Sequence, residues 1–265
     1  KYIELFSESS DIYRAIQKCV LNRSGYLYDE PHFLLQQEVS EVGSYFSIIK
    51  AIAAGNHKLS AIAAVLEVKS TNLTKYLKTL MDLDILERRV PVTEENPEKS
   101  KRGLYKIKDN YLRFWFAFIY PNMSFIESGH SGIVMDKIRK GLTTSHIGFV
   151  YEDICQERMW ELNVNNTWPF QFSKLGGYWD AKNEIDIAAL DPEGKNLILG
   201  ECKYWKEPVG LNVLHALETK ACDVAWERDR RKVWYVLFSI SGFSDELRNH
   251  AATRDDLLLI DDGER

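Results

Sequence analysis

The stretch Glu184–Lys203, EIDIAALDPEGKNLILGECK, constrains this chain more than any other part of it. Two apolar runs flank Pro192-Glu193-Gly194-Lys195, and Gly194 is available for positive φ, so the segment reads as a β-hairpin. A symmetric four-residue turn pairs Asp191 with Asn196. Counting back, Asp186 falls opposite Glu201 and Glu184 opposite Lys203. Side chains alternate along a strand, so these four charged residues share one face. Ile185, Ile187, Ile198 and Cys202 point the other way, into a core, which makes both strands internal. Directly opposed residues bring Cβ atoms to about 4.5–5.5 Å. Two carboxylates at that spacing repel unless a cation lies between them, and their place on an apolar hairpin costs stability. Mg2+ or Mn2+ would compensate, because both prefer carboxylate oxygens. Lys203 adds a side chain that can orient an attacking water and offset charge on a phosphorane-like transition state. Two acids, a lysine and a divalent cation are sufficient for metal-assisted phosphodiester hydrolysis. An ordinary ion-pair ladder on a solvated sheet face is the alternative for the same residues.

The surroundings of the hairpin set the fold class. From Ser145 a helix, SHIGFVYEDICQERMWEL, leads to the expected strands TWPFQF, GYWDA after a Gly-Gly turn, EIDIAAL and LILGECK. A helix over about Asn212–Trp226, the strand KVWYVLFSI, a helix near Asp245–Ala252 and the strand DLLLI close the chain. That succession implies an α/β domain with a mixed central sheet between helices, residues 145–265. Residues 45–108 have a different rhythm. Tyr45–Ala54 is an apolar-faced helix stopped by Gly55-Asn56, and Ser60–Leu66 is a second. Ser70 or Thr71 caps a third, which carries Leu73, Leu77, Leu80 and Met81 on one face. The strands ERRVPV and LYKIK follow, on either side of the polar loop TEENPEKSKRG. Three helices and a two-stranded hairpin are the pattern of a winged helix-turn-helix. Residues 1–44 read as a helical junction segment. Residues 109–144 read as a helical linker, with the aromatic helix NYLRFWFAFIYP and a short helix around Ile133–Lys140. The whole is a mixed α+β chain.

Composition bounds the function. No apolar run reaches the roughly 18–20 residues of a membrane span, and no signal peptide is visible, so no membrane partner is expected. The chain begins at Lys1 rather than Met and reads as a fragment or a processed product. Cys19, Cys155, Cys202 and Cys222 are scattered with no CxxC pair, which argues against a zinc knuckle and fits a reducing cytoplasm. The net charge is −5, yet residues 56–108 hold 11 Lys and Arg against 7 Asp and Glu. A local basic patch in an acidic chain is more informative than the total, and DNA is the expected partner.

Asp186…Glu201-Cys202-Lys203 resembles the D…(D/E)xK signature of the PD-(D/E)XK, restriction-endonuclease-like nuclease superfamily. Glu152, on the helix before the strands, matches the acid that many members use to hold metal or water. The resemblance also implies that the Cys202 backbone carbonyl is a metal ligand. Taken together, SKRGLYKIKDNYLRFWFAFIYPN, FVYEDICQE, EIDIAAL and GECKYW look like the C-terminal half of a prokaryotic, archaeal-type ATPase family. There a P-loop ATPase module precedes a winged helix and a nuclease-like domain of the DUF234 type. The chain has no GxxxxGK[ST]; its Gly194-Lys195 dipeptide lies in the hairpin turn. ATP binding in this resemblance therefore belongs to an upstream module.

Further candidates lie outside the signature. Lys69, Lys75 and Lys78 sit on or before the third helix, and Arg88, Arg89, Lys99, Lys101 and Arg102 in or near the wing. Recognition helix in the major groove and wing on phosphates is the usual docking, so Lys75, Lys78, Arg88, Lys101 and Arg102 are the candidate DNA contacts. A protein-interaction winged helix is the competing reading. Phe114-Trp115-Phe116 has the composition of a base-stacking cluster but the helical spacing of a core. Asp180 is either a further acid or a turn residue. Lys220, on the helix after the ExK strand, can approach a phosphate. The histidines show neither HxH nor HExxH spacing.

Overall fold

The computed structural model describes residues 6, 9 and 11–263. The chain separates into two compact units: Lys1–Arg89 with Leu104–His146, and Val90–Gly103 with Ile147–Arg265. It is a mixed α and β protein with a mixed five-stranded sheet in the second unit.

In the first unit, α1 (Ile12–Cys19) and α2 (Glu30–Glu38) precede α3 (Val42–Ala53), α4 (Leu59–Val65) and α5 (Ser70–Asp82). Strands β1 (Leu86–Arg89) and β2 (Leu104–Ile107) then pair antiparallel, from Leu86↔Ile107 to Arg89↔Leu104. The three helices and the two-stranded ribbon expected from the sequence are therefore present. Helix α3 ends at the expected signal. Gly55 takes φ +94° and the Asn56 N–H returns to the Ala51 carbonyl at 3.1 Å. Helix α5 buries Leu73, Leu77 and Leu80, as their spacing requires. Its start differs from expectation. Lys69 holds the extended N-cap position, and Ser70 and Thr71 are already helical, so neither hydroxyl caps.

The aromatic run also departs from one regular helix. After α6 (Asn110–Phe114), capped by Asp109 through the Leu112 N–H at 2.7 Å, it widens into a π-helical turn over Trp115–Ile119. That turn buries Trp115, Phe116, Phe118 and Ile119. The Trp115 indole N–H donates to the Tyr28 carbonyl at 2.9 Å. Phe114, Trp115 and Phe116 are thus core residues of this unit. The short α7 (Met123–Glu127) and α8 (Ser131–Leu142) complete it.

The second unit runs α9 (Gly148–Val164), β3 (Lys174–Trp179), β4 (Glu184–Leu190), β5 (Asn196–Lys203), α10 (Leu211–Asp223), β6 (Lys232–Ser239), α11 (Asp245–Ala251) and β7 (Leu257–Asp261). The sheet order is β3-β4-β5-β6-β7, with β3, β4 and β5 antiparallel and β5, β6 and β7 parallel. Both parallel crossovers step the same way along the sheet, so the handedness rule puts α10 and α11 on one face. There Leu214, Leu217 and Leu247 pack on Ala188, Leu190, Leu197 and Leu199. Tyr151, Cys155 and Met159 of α9 cover the other face, over Ile187, Ala189, Ile198 and Cys202.

Two expectations fail here for identifiable reasons. TWPFQF is irregular rather than a strand. The Asn163 amide takes both backbone groups of Phe172, each at 3.0 Å, which removes them from any ladder, while Trp168 and Phe172 sink into the core. Gly176 and Gly177 lie inside β3, not in a turn.

Candidate active site

The hairpin turn folds as its sequence requires. Gly194 takes φ +71°, and the Asp191 carboxylate accepts from the Lys195 N–H at 2.9 Å and the Asn196 amide at 2.7 Å. The register is the expected one: Leu190↔Leu197, Ala189↔Ile198, Ala188↔Leu199 and Ile187↔Gly200. Asp186 and Glu201 are the next positions in that register, and there the ladder between β4 and β5 ends. From this point β5 stays paired with β6 through Lys203↔Ser239, while β4 stays paired with β3 through Trp179↔Glu184. The two central strands therefore part at the acids.

A β-bulge contributes to the parting. On β3, Gly176 pairs with Ala188 but Tyr178 with Ile185, so Gly177 alone faces both Asp186 and Ile187. The extra residue breaks the alternation that the sequence predicts. Ile185 packs with the α10 face, whereas Ile187, Ile198 and Cys202 pack with the α9 face. Glu184 does not pair with Lys203 either. It pairs with Trp179, and its side chain is exposed. Such bulges re-aim a side chain, and here the residue in the bulge is Asp186.

Four charged groups meet at the opening. One Asp186 oxygen accepts from the Cys202 N–H at 2.9 Å and lies 3.5 Å from Lys203 Nζ. Lys203 Nζ donates to Glu201 at 2.5 Å. Lys220 Nζ, from α10, donates to the other Glu201 oxygen at 2.6 Å and to the Glu184 carbonyl at 2.8 Å. Glu201 is 5% exposed, so both its oxygens are spoken for by ammonium groups in a nearly dry place. Burial, then the neighbouring Glu201, pushes Asp186 up to about 6. Burial also works against ionisation of Glu201, but Lys203 and Lys220 outweigh it and hold that acid below its usual range. For Lys203 burial favours the neutral amine, and Asp186 and Glu201 reverse the balance, so its pKa is raised. Lys203 is therefore a cation and a proton donor rather than a base at neutral pH. An ammonium lies between two carboxylates, at the carboxyl end of a central strand, where α/β sheets place their ligand crevices.

The remaining expected residues fall as follows. Glu152 is half-buried on α9, and its charge is felt at Cys202. One turn on, Gln156 donates to the Asp186 carbonyl at 3.3 Å, a contact that residue types alone did not flag. Its signal was the i+4 spacing from Glu152. Among the described residues no group of three or more His, Cys, Asp and Glu side chains is arranged to hold a metal ion. The carboxylates come as a pair. Asp180 is a turn residue: it accepts from the Lys182 and Asn183 N–H groups at 2.7 and 2.8 Å. In the first unit Lys75 and Lys78 are exposed on α5, and Arg88 is half-buried on β1. In the second, Lys101 is exposed, while Arg102 is paired with Glu94 and donates to the Trp179 carbonyl at 3.5 Å.

Residues 115–221 match the DUF234 family, described as archaeal and bacterial proteins of unknown function. An uncharacterized protein of Methanocaldococcus jannaschii is 39% identical over 192 residues, which cover 72% of this chain. The chain spans only 42% of that relative's length. Among solved structures, a repair endonuclease from Pyrococcus abyssi aligns with a TM-score of 0.26 at 13% identity, over 39% of this chain and 44% of the other. No helix among the described residues is long and apolar enough to cross a membrane.

Proposed function

We propose that the second unit is a Mg2+- or Mn2+-dependent phosphodiesterase acting on DNA. One observation carries this reading: the β4–β5 ladder opens at Asp186 and Glu201, with the Lys203 ammonium between their carboxylates. The donor set suits the cation. Mg2+ is commonly held by one or two carboxylates, with waters and substrate phosphate oxygens completing its shell, so a pair is enough. Asp186, Glu201 and the Cys202 backbone carbonyl would hold it, with Glu152 supporting from α9. When bound, the cation supplies Lewis-acid polarisation of the phosphate and a more acidic water.

The chain's own groups do the rest. Hydrolysis forms a bond from a water oxygen to phosphorus and breaks one P–O ester bond; the electron pair of that bond leaves on the ester oxygen, which takes up a proton, while the attacking water gives one up to solvent. Lys203, held protonated by Asp186 and Glu201, turns its ammonium to the attacking water and to the phosphoryl oxygens that gain charge. Lys220 stays on Glu201 and fixes its orientation, with a second hold on the Glu184 carbonyl. Gln156 and the Cys202 N–H fix Asp186 at the bulge. In the first unit Lys75, Lys78 and Arg88 would contact DNA phosphates and groove edges. Lys101 and Arg102 of the loop 90–103 would add phosphate contacts. In a longer protein this chain would follow an ATP-binding P-loop module.

A second reading has its own support. Both Glu201 oxygens are satisfied by the Lys203 and Lys220 ammonium groups, and among the described residues no third acid is gathered with the pair. That favours a DNA- or protein-binding regulatory module in which the charged cluster is structural. Plasmid and oligonucleotide cleavage in Mn2+ and Mg2+ separates the two. The first reading expects cleavage by the wild type and none by Asp186→Ala or Lys203→Ala. Band shifts without cleavage, and no cation uptake by calorimetry, would establish the second.

A further inference from the structure

Immediately past the acid-acid-lysine cluster the chain displays a tryptophan. Trp205 is 47% exposed, although tryptophan is among the residues most buried on average. The other tryptophans have contacts of their own: Trp115, Trp168 and Trp234 are buried, Trp226 packs on the α10 core, Trp179 donates to the Arg102 carbonyl at 3.0 Å, and Trp160, itself 44% exposed, packs on Phe172 at 4.9 Å. The Trp205 indole N–H meets no described acceptor. Its one described ring contact is Lys203 Nζ, 5.8 Å from the ring centroid.

The fold holds this exposure in place. On one side Tyr204 packs into the α9 core and against Tyr151 at 5.6 Å. On the other, Val209 is fully buried, donates to the Gly242 carbonyl and accepts from the Ser244 N–H, both at 2.9 Å. Residues 205–208, including Lys206, stand out between these two anchors. A large apolar ring presented by an anchored segment, beside a cation and with its own N–H unused, is a preorganised recognition surface.

We propose that Trp205 is a stacking platform for an unpaired nucleobase of the nucleic acid whose phosphate meets Lys203. This rests on the reading of the cluster as a phosphodiester-hydrolysing site and names its substrate class. Lys203 Nζ lies over one face of the ring, 5.8 Å from its centroid, so a base would stack on the other face and its strand would run its backbone past that ammonium. In a duplex both faces of a base are already stacked, so the platform selects strands whose bases are free: single strands, flaps, loops or frayed ends. Stacking is indifferent to base identity, because every base has a π-face, so discrimination is by strand structure rather than by sequence.

The test uses the full chain in EDTA, where hydrolysis is blocked, with 2-aminopurine oligonucleotides in single-stranded and duplex form. Wild type and Trp205→Phe are expected to bind the single strand and quench its fluorescence. Trp205→Ala is expected to bind it about 5- to 150-fold more weakly, with duplex binding unchanged. Equal single-strand affinity for wild type and Trp205→Ala overturns the proposal, as does an equal loss on duplex. Cleavage assays in Mn2+ keep the two readings apart. Stacking without cleavage by the wild type leaves Trp205 standing and removes the hydrolytic reading. Cleavage by Trp205→Ala with the wild-type preference between single and double strands does the reverse.

Discussion

Replacing Asp186 by Asn is expected to stabilise the protein when no cation is present. Burial and the adjacent Glu201 raise this acid from 3.8 to about 6, an excess of about two pH units. At about 1.4 kcal/mol per unit, the ionised carboxylate costs the fold about 3 kcal/mol at neutral pH. The attraction of Lys203 is already included in that balance. Asn keeps an oxygen for the Cys202 N–H and removes the charge. The sign follows from linkage. An acid with a raised folded pKa binds its proton more tightly in the folded chain than in the unfolded one, so wild-type stability falls as pH rises from about 4 to about 6. The advantage of Asp186→Asn is thus absent near pH 4 and complete by about pH 7. A 3 kcal/mol change in a unit of this size moves the midpoint by roughly 10 °C. Circular-dichroism melts of both proteins in EDTA, from pH 4.5 to 8, measure it. A variant that melts at or below the wild type at pH 8, or a gap that does not change with pH, refutes the electrostatic account of the site. If the proposed cation binds, millimolar Mn2+ reverses the order by stabilising the wild type alone.

Three more outcomes follow from the same geometry. Lys203→Ala is expected to lower kcat about 100- to 1,000-fold while cation uptake persists, because it removes the donor but neither acid; steady-state kinetics and calorimetry read the two effects separately. Cation uptake measured by titration calorimetry is expected to weaken as pH falls through about 6, since Asp186 must lose its proton first and protons compete with the cation below that value. Gly200→Ala is expected to cost about 1–3 kcal/mol or more in chemical denaturation, because its Cβ would lie 2.6 Å from Val236 Cγ1 and 2.8 Å from the Val236 carbonyl oxygen.

Much of this was legible in the residues. The turn chemistry around Gly194 and the apolar runs on either side of it fix both the hairpin and its register, because a slip of one residue would turn the core side chains outward. That register alone aligns Asp186 with Glu201. The spacing of Leu73, Leu77 and Leu80 fixes the buried face of α5 in the same way. What local pattern could not supply was anything that depends on a partner from elsewhere in the chain. TWPFQF has strand composition, but the Asn163 side chain takes its backbone groups. The alternation in β4 is broken by pairing with β3 across Gly177, so the faces of Ile185 and Ile187 differ despite their spacing of two. Lys220 reaches Glu201 only because the β5–α10–β6 crossover lays α10 on that face, and Gln156 reaches Asp186 only because α9 covers the other. Sequence determined which charged residues are aligned, through periodicity and turn chemistry acting over a few residues. Tertiary structure decided that the strands part where those residues stand, since the bulge that pairing with β3 imposes on β4 falls at Asp186, the position where the ladder with β5 ends.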